Sequence, residues 1–449
     1  MILSLKQKMN IIFAKNLKKV NISMKPDFIE ELRWRGMVHD MTPGTEEQLK
    51  KEITAGYIGF DPTAKSLHIG NLATIMLLVH FQRAGHKPVA LVGGATGMIG
   101  DPSFKAAERK LLDEETLREN QSGIKKQLEQ FLDFDSGENS AIVLNNYDWF
   151  KNFGFLEFLR DNGKHISVNY MLAKDSVKKR LETGISFTEF AYQLLQGYDF
   201  YHLYANHSVK IQMGGSDQWG NITTGTEYIR RKAQGEAYAL TAPLVTKADG
   251  SKFGKSEGGN IWLDPEMTSP YQFYQFWLNC SDEDSKKLIR VFTLKSKEEI
   301  ETLEKQHEEA PHLRTLQNAL ADDITKMVHG ETELETAKKA SKILFDKKAT
   351  ISDFDSLGEK TLLQVFETVP QKEINTPGEI SYVDFLGEHI GDLIFKSKGE
   401  ARRMIKEGGI SINKEKITDG NAILDINPLS NKYYLIQKGR KNYFFVKII

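Results

Sequence analysis

The sequence predicts an α/β protein: a parallel-sheet catalytic domain, then an α-helical segment, then a small α+β module. Three observations carry this. From about Pro26 to Val245, short β-rich runs alternate with helical ones. From Thr268 long charged helices take over, and from about Tyr382 the chain turns basic and aromatic. The 449 residues suit about three domains at roughly 150 residues each.

Tyr57–Phe60 reads as a strand. The run Gly70–Ala84 places Leu72, Ile75, Met76 and Val79 at the i, i+3, i+4, i+7 spacing of a helix face, and Gly85 stops it. Val89–Val92 then reads as a second strand, opened by Pro88. Strand, helix and strand make a βαβ unit, which implies a parallel sheet covered by helices. Further strands are expected at Ala141–Leu144, Val209–Met213 and Leu244–Thr246. Ser269-Pro270 opens a helix running through Leu278, and Ser296 with Glu299 forms a capping box. Helices continue to about Phe345, with breaks near Pro311 and Gly330. Residues 346–381 are polar, carry Pro370 and Pro377, and read as a linker with one short helix. The expected division is therefore 1–24, a disordered extension; 25–247, the catalytic domain; 248–345, a lysine-rich loop and helical domain; 346–381, the linker; and 382–449, the basic module.

Lys+Arg number 60 and Asp+Glu 61, a net charge of −1. That excludes a wholly cationic nucleic-acid coat and a charge-repelled disordered chain. The balance is a cancellation: residues 392–449 hold twelve Lys/Arg and six Asp/Glu, or +6, leaving −7 on the rest. The single cysteine, Cys280, excludes an internal disulfide and points to an intracellular, cytoplasmic protein. The eleven histidines show no metal-ligand spacing, and no apolar run approaches the ~18 residues of a membrane span. The first 26 residues carry six lysines and no acid, upstream of a second possible start at Met24.

Five stretches carry candidate chemistry. Asp61–Asn71 joins a strand end to a helix start, where free backbone N–H groups favour phosphate. His68 and Asn71 stand there as donors, or His68 simply caps the helix. Gly93–Pro102 is a glycine-rich loop after a strand, a loose dinucleotide-like pattern. It lacks the acid that would close a second strand about 20 residues on. Lys105 and Arg109, four apart, could share a helix face toward an anion or be solvated. Tyr192, Gln196 and Asp199 form one polar stripe on an otherwise apolar helix, and buried Gln and Asp need partners. Lys247–Gly259 is a glycine-rich loop with three lysines, suited to closing over phosphates or to a solvated turn. Lys396–Asn413 reads as a basic helix, a glycine turn and a strand. With Tyr433, Tyr434, Tyr443 and Phe444 beyond it, this suits RNA or a solvated basic face.

Together these residues resemble the bacterial-type tyrosyl-tRNA synthetases, from about Met24 to the C-terminus. Class I enzymes share two signatures. One is HIGH, here His68-Ile69-Gly70-Asn71; the other is KMSKS, here Lys252-Phe253-Gly254-Lys255-Ser256. The tyrosine members are marked by Tyr57–Thr63, Ser186–Tyr192 and Gly214–Asn221. Asn71 departs from histidine, and Phe253-Gly254 from Met-Ser. The segment from Lys396 resembles an S4-like RNA-binding module.

The resemblance implies a Rossmann-like catalytic domain that activates L-tyrosine with ATP and Mg²⁺ and charges tRNA(Tyr). It also implies a homodimer. Catalysis would fall to His68, Asn71, Thr63, Lys105, Arg109, Lys252 and Lys255. Gly70, His68, Asn71, Asp217 and Lys255 would hold ATP. Tyr57 and Asp199 would bond the phenolic hydroxyl; Tyr192, Gln196 and Asp101 would hold the α-ammonium, with Gln218 near the carboxylate. Lys396, Lys398, Arg402, Arg403 and Lys406 would meet RNA. Two other readings stay open: a tryptophan-activating relative, and a nucleotide-dependent oxidoreductase built on the Gly93–Gly100 loop.

Overall fold

The computed structural model describes residues 26–100, 113–135, 137–182, 184–251, 253–256, 259–346, 348–367, 369–439 and 442–449. The expected extension 1–24, and Asp101, Lys105, Arg109 and Lys252, lie outside them. The chain forms two compact units. The first runs to Met267 and resumes over Cys280–Leu320; the second takes Thr268–Asn279 and Ala321–Ile449. They part inside the segment 248–345 that sequence groups as one domain.

The first unit is built on a six-stranded sheet. Its strands are β1 (Asp40–Met41), β2 (Ala55–Phe60), β3 (Lys87–Val92), β4 (Ile142–Asn145), β5 (Val209–Gly215) and β6 (Tyr238–Ala242). The order is β1-β6-β5-β2-β3-β4. All pairs are parallel except β1 with β6. β3 reads Lys-Pro-Val-Ala-Leu-Val and is buried from Pro88 onward. Such continuous apolar runs suit a parallel sheet covered on both faces.

Four helices matter for the first unit. They are α1 (Phe28–Arg35), α2 (Ile69–Arg83), α3 (Phe187–His207) and α4 (Asp282–Phe292). In α2, Leu72, Ile75, Met76 and Val79 are buried as the spacing predicts, and Ile69, Leu77, Leu78 and Phe81 are buried too. A helix apolar on nearly every side belongs inside, and α2 connects β2 to β3. One expected strand is displaced: the last parallel strand is Tyr238–Ala242, not Leu244–Thr246. Pro243 has no N–H to give a ladder. The apolar run beyond it leaves the sheet, with Leu244 50% exposed.

The second unit holds helices Pro270–Leu278 and Glu331–Phe345 and a five-stranded sheet of order β11-β10-β12-β13-β9. Its strands are β9 (Gln371–Ile374), β10 (Ile410–Ile412), β11 (Glu415–Lys416), β12 (Tyr433–Lys438) and β13 (Asn442–Ile448); the short pair β7 (Lys255–Ser256) and β8 (Gly259–Asn260) belongs to the first unit. Helix α5 (Lys398–Lys406) and a left-handed turn at Gly408, φ +68°, lead into β10.

The expected linker is more structured than its composition implies. It carries two helices, Ile351–Asp355 and Glu359–Val365, and β9 pairs in parallel with β13. Leu362, Val365 and Phe366 sit at i, i+3 and i+4 and are buried with Phe354, Tyr433, Leu435 and Phe445. Phe366 and Tyr433 stack against Phe445, each with ring centroids 4.9 Å away. Three well-spaced apolar residues anchor the segment although most of its length is polar.

Candidate active site

In the sheet, β2 lies between β3 and β5, so connections leave it in both directions. That makes a crevice at the carboxyl ends of the strands, where open parallel sheets bind ligands. A cavity of about 580 Å³ occupies this position. The ends of β2, β3 and β5, the start of α2 and the polar stripe of α3 line it. Its size suits a ligand of drug or nucleotide dimensions.

At one end the cavity meets the start of α2. His68 is the N-cap, and its Nδ1 accepts from the Gly70 N–H at 3.0 Å. A nitrogen that accepts carries no proton, so the neutral ring holds its proton on Nε2 as a donor. Gly70 is needed for this fold-over: a Cβ there would sit 2.8 Å from His68 Cε1. Asn71 Oδ1 accepts from the His68 backbone N–H at 3.1 Å. With its oxygen so engaged, the amide keeps its NH₂ as a donor. Asn71 thus combines the acceptor and the donor that a histidine would offer there.

At the other end the cavity narrows onto buried polar groups. Asp199, on α3, is 1% exposed, and its carboxylate accepts from Asn146 Nδ2 at 2.9 Å and Trp149 Nε1 at 2.8 Å. Burial pushes this carboxyl up to about 8, against the pull of those two hydrogen bonds. The Tyr57 hydroxyl is wholly buried and has no hydrogen-bond partner. Burial and then the neighbouring Asp199 charge hold it well above its ordinary range. An orphaned buried hydroxyl carries a desolvation cost that a ligand's polar group can relieve.

Between the ends runs a connected network. Asn146 Nδ2 also donates to Thr96 Oγ1 at 3.1 Å, and Thr96 Oγ1 donates to Asp61 Oδ1 at 2.9 Å. The Tyr192 hydroxyl donates to Asp61 Oδ2 at 3.1 Å. Gly93 makes room for this: a Cβ would sit 2.3 Å from Asp61 Oδ1 and 2.5 Å from Thr96 Oγ1. At Gly94 it would sit 2.1 Å from Asn145 Oδ1. These two glycines are explained by side-chain packing, without a dinucleotide.

Tyr57, Thr63, His68, Gly70, Asn71, Tyr192, Gln196, Asp199, Asp217 and Gln218 all line the one cavity. Gln218 Oε1 accepts from Asn221 Nδ2 at 3.1 Å. Lys255 lies in a two-residue strand paired with Gly259–Asn260. Sequence reasoning left Asp61, Thr96, Asn146, Trp149 and Trp262 without a role. Asn146 and Trp149 follow directly after β4, a carboxyl-end position that could have flagged them. In the second unit, Lys396, Arg402, Arg403 and Lys406 are exposed. Lys398 instead pairs with Asp384, at 2.8 Å, and with Glu388.

A switch-point cleft whose far wall is a helix start with aligned donors defines a class: a nucleotide-binding enzyme on a parallel sheet. Comparison with known proteins narrows it. The family model for class I tRNA synthetases (W and Y) matches residues 49–346, and that for the tyrosine–tRNA ligase SYY-like C-terminal domain matches 361–446. A tyrosine–tRNA ligase of Cytophaga hutchinsonii is 63% identical over 424 residues, 94% of this chain and 99% of its own. One of Amoebophilus asiaticus is 61% identical over 426 residues, with the same coverage. Among solved structures, a C-terminally truncated mitochondrial tyrosyl-tRNA synthetase of Aspergillus nidulans matches with 28% identity and a TM-score of 0.64. The match covers 76% of this chain and 99% of that one. The chain belongs to the tyrosine–tRNA ligase family.

The raised Asp199 carboxyl has a pH consequence. Between about pH 4 and pH 8 the native state holds a proton that the unfolded chain releases. Stability falls with pH wherever the native state binds more protons. Thermal melts across this window should therefore show the unliganded parent chain losing stability, relative to Asp199→Asn, as pH rises. A parent chain that gains on the variant with rising pH would contradict the assignment.

Proposed function

We propose that this cleft joins L-tyrosine to ATP and then passes the tyrosyl group to tRNA(Tyr). The observation that carries the amino-acid choice is the unpartnered Tyr57 hydroxyl beside Asp199 at the cavity's buried end. A phenol supplies both a donor and an acceptor there. A phenylalanine ring supplies neither and leaves buried groups unpaired.

In the first step a carboxylate oxygen of tyrosine attacks the α-phosphorus of ATP. The bond to the bridging oxygen breaks, and pyrophosphate leaves. The nucleophile is already ionised at neutral pH, so positioning and charge stabilisation suffice. The Tyr192 hydroxyl donates its hydrogen bond to Asp61 and so keeps its oxygen lone pairs to accept from the α-ammonium, a role shared with Gln196 and Asp101. Gln218 orients the carboxylate. The His68 Nε2–H and the Asn71 NH₂ meet phosphate or ribose oxygens, with Gly70 allowing close approach and Asp217 taking the nucleotide's sugar side. Lys105, Arg109, Lys252 and Lys255 neutralise charge as pyrophosphate forms, and the Thr63 hydroxyl donates a hydrogen bond to it. Mg²⁺ enters with the nucleotide as part of the substrate. In the second step a 3′-terminal ribose hydroxyl attacks the tyrosyl carbonyl. AMP departs and the hydroxyl proton is lost.

Pyrophosphate exchange into ATP should be stimulated by tyrosine and far less by tryptophan or phenylalanine. Exchange that favours tryptophan would transfer the chain to the tryptophan-activating branch, and none with tyrosine would end the reading.

The exposed cations Lys396, Arg402, Arg403 and Lys406 support RNA contact by the second unit's basic helix; Lys398, engaged by two acids, contributes less. Reversing Arg402 and Arg403 to Glu should leave exchange unchanged while lowering tRNA charging by tenfold or more at physiological salt. Equal charging by variant and parent would remove the helix from the RNA surface.

A homodimer is supported by Phe155, Leu156, Leu159, Val168, Leu181 and Phe187, large apolar residues exposed within one stretch of the catalytic unit. Leu156 alone is 78% exposed. The double variant Phe155→Asp/Leu156→Asp should sediment as a monomer where the parent chain sediments as a dimer. Among the described residues no helix is long and apolar enough to cross a membrane. With the lone cysteine, that supports a cytoplasmic setting.

A further inference from the structure

The geometry points to Phe253 as a positioning residue that docks the lysine-rich loop onto α4, an inference that rests on the adenylating role proposed for the cleft. Three sets of contacts converge here. Phe253 stacks on Phe292 with ring centroids 5.5 Å apart and planes at 24°. Phe292 is the last residue of α4 and is fully buried. The next residue, Gly254, lies against the start of α2. A Cβ there would lie 3.3 Å from Ile69 Cγ1 and 3.4 Å from the Gly70 nitrogen. Its φ of +93° is one that side-chain-bearing residues rarely adopt.

Backbone bonds lock this residue to the start of α2. Ile261 N–H donates to the Gly254 carbonyl at 3.1 Å, and Ile69 N–H donates to the Ile261 carbonyl at 3.0 Å. Leu263 N–H donates to the Leu67 carbonyl at 2.9 Å. Between them the Trp262 ring packs edge-on to His68, with centroids 5.8 Å apart. Two adjacent residues therefore bridge α4 and the phosphate end of the cleft, and Lys252 and Lys255 flank them in sequence.

The α4 side of the dock is itself fixed. The Ala248 N–H donates to Asp284 Oδ1 at 2.8 Å. The guanidinium of Arg35, buried on α1, donates to the carbonyls of Arg290, Thr293 and Lys295 at 2.6, 2.9 and 2.6 Å. The Arg290 and Thr293 carbonyls are end-of-helix acceptors that nothing within the helix satisfies, and Lys295 follows just beyond the cap. Arg83, at the far end of α2, donates to the Leu294 carbonyl at 3.3 Å. α4 is thus tied to both α1 and α2, and Phe292 offers the loop a fixed surface. A loop held at both α4 and the α2 start has less conformational freedom to lose before the transition state.

The test is tyrosine-dependent pyrophosphate exchange on the full chain. Phe253→Ala should lower kcat roughly five- to tenfold with the KM for tyrosine unchanged, because the amino-acid end of the cleft is untouched. Phe253→Met, which restores apolar bulk, should recover most of that loss. Phe292→Ala should act through the same contact, so the double alanine variant should be no slower than the worse single. In Phe253→Ala, faster tryptic cutting within 247–255, with an unchanged melting temperature, should accompany the loss. A kcat within twofold of the parent for Phe253→Ala, no rescue by methionine, or losses that multiply in the double variant would each overturn the dock. Failure of the parent chain to exchange with tyrosine would instead strike the adenylation reading itself.

Discussion

The cleft depends on one carboxyl held under it. Asp199 is buried deeply enough to be raised to about 8 against the pull of Asn146 and Trp149, whose donated hydrogen bonds compensate its burial. Removing either donor leaves a carboxyl less compensated than before. Asn146 also reaches Thr96, Thr96 reaches Asp61, and Asp61 receives Tyr192. The two ends of the proposed amino-acid site are thus parts of one hydrogen-bond network. The glycines of the adjoining loop follow from it, since Gly93 leaves the space in which Asp61 meets Thr96.

The sheet explains why such a network can exist. Its members come from β2, the loop after β3, the segment after β4, and α3. The parallel order brings all these carboxyl ends to one edge. The helix start of α2 lies at the same edge and supplies donors from His68 and Asn71. One side of the cleft therefore offers donors suited to negative charge, and the other an unpartnered hydroxyl beside buried carboxyl groups. Catalysis by alignment needs such a division of labour and no general base for the first step.

Much of this was legible in the sequence, for physical reasons. The βαβ unit was legible because α2 carries an unbroken apolar face between glycine and helix-cap signals. The α3 stripe was legible because Tyr192, Gln196 and Asp199 keep helical spacing on an apolar helix. The strand at Tyr238–Ala242 was not, because Pro243 precedes an apolar run that looks equally extended. The polar stretch 346–381, read as a linker with one short helix, holds two helices and a strand, because a few apolar residues, Phe354, Leu362, Val365 and Phe366, suffice to anchor the helices. Asn146 and Trp149 escaped notice because their importance lies in what they touch. Asp199 is 53 residues beyond Asn146, and no local pattern reports such a contact.

In the proposed site the unpartnered Tyr57 hydroxyl and Asp199 together read the phenolic group of tyrosine. The most direct test is the ratio of kcat/KM for tyrosine to that for phenylalanine in pyrophosphate exchange, measured for the parent chain and for Tyr57→Phe. The account predicts that the ratio falls roughly five- to tenfold in the variant, with the loss confined to tyrosine. A ratio that does not change would contradict it.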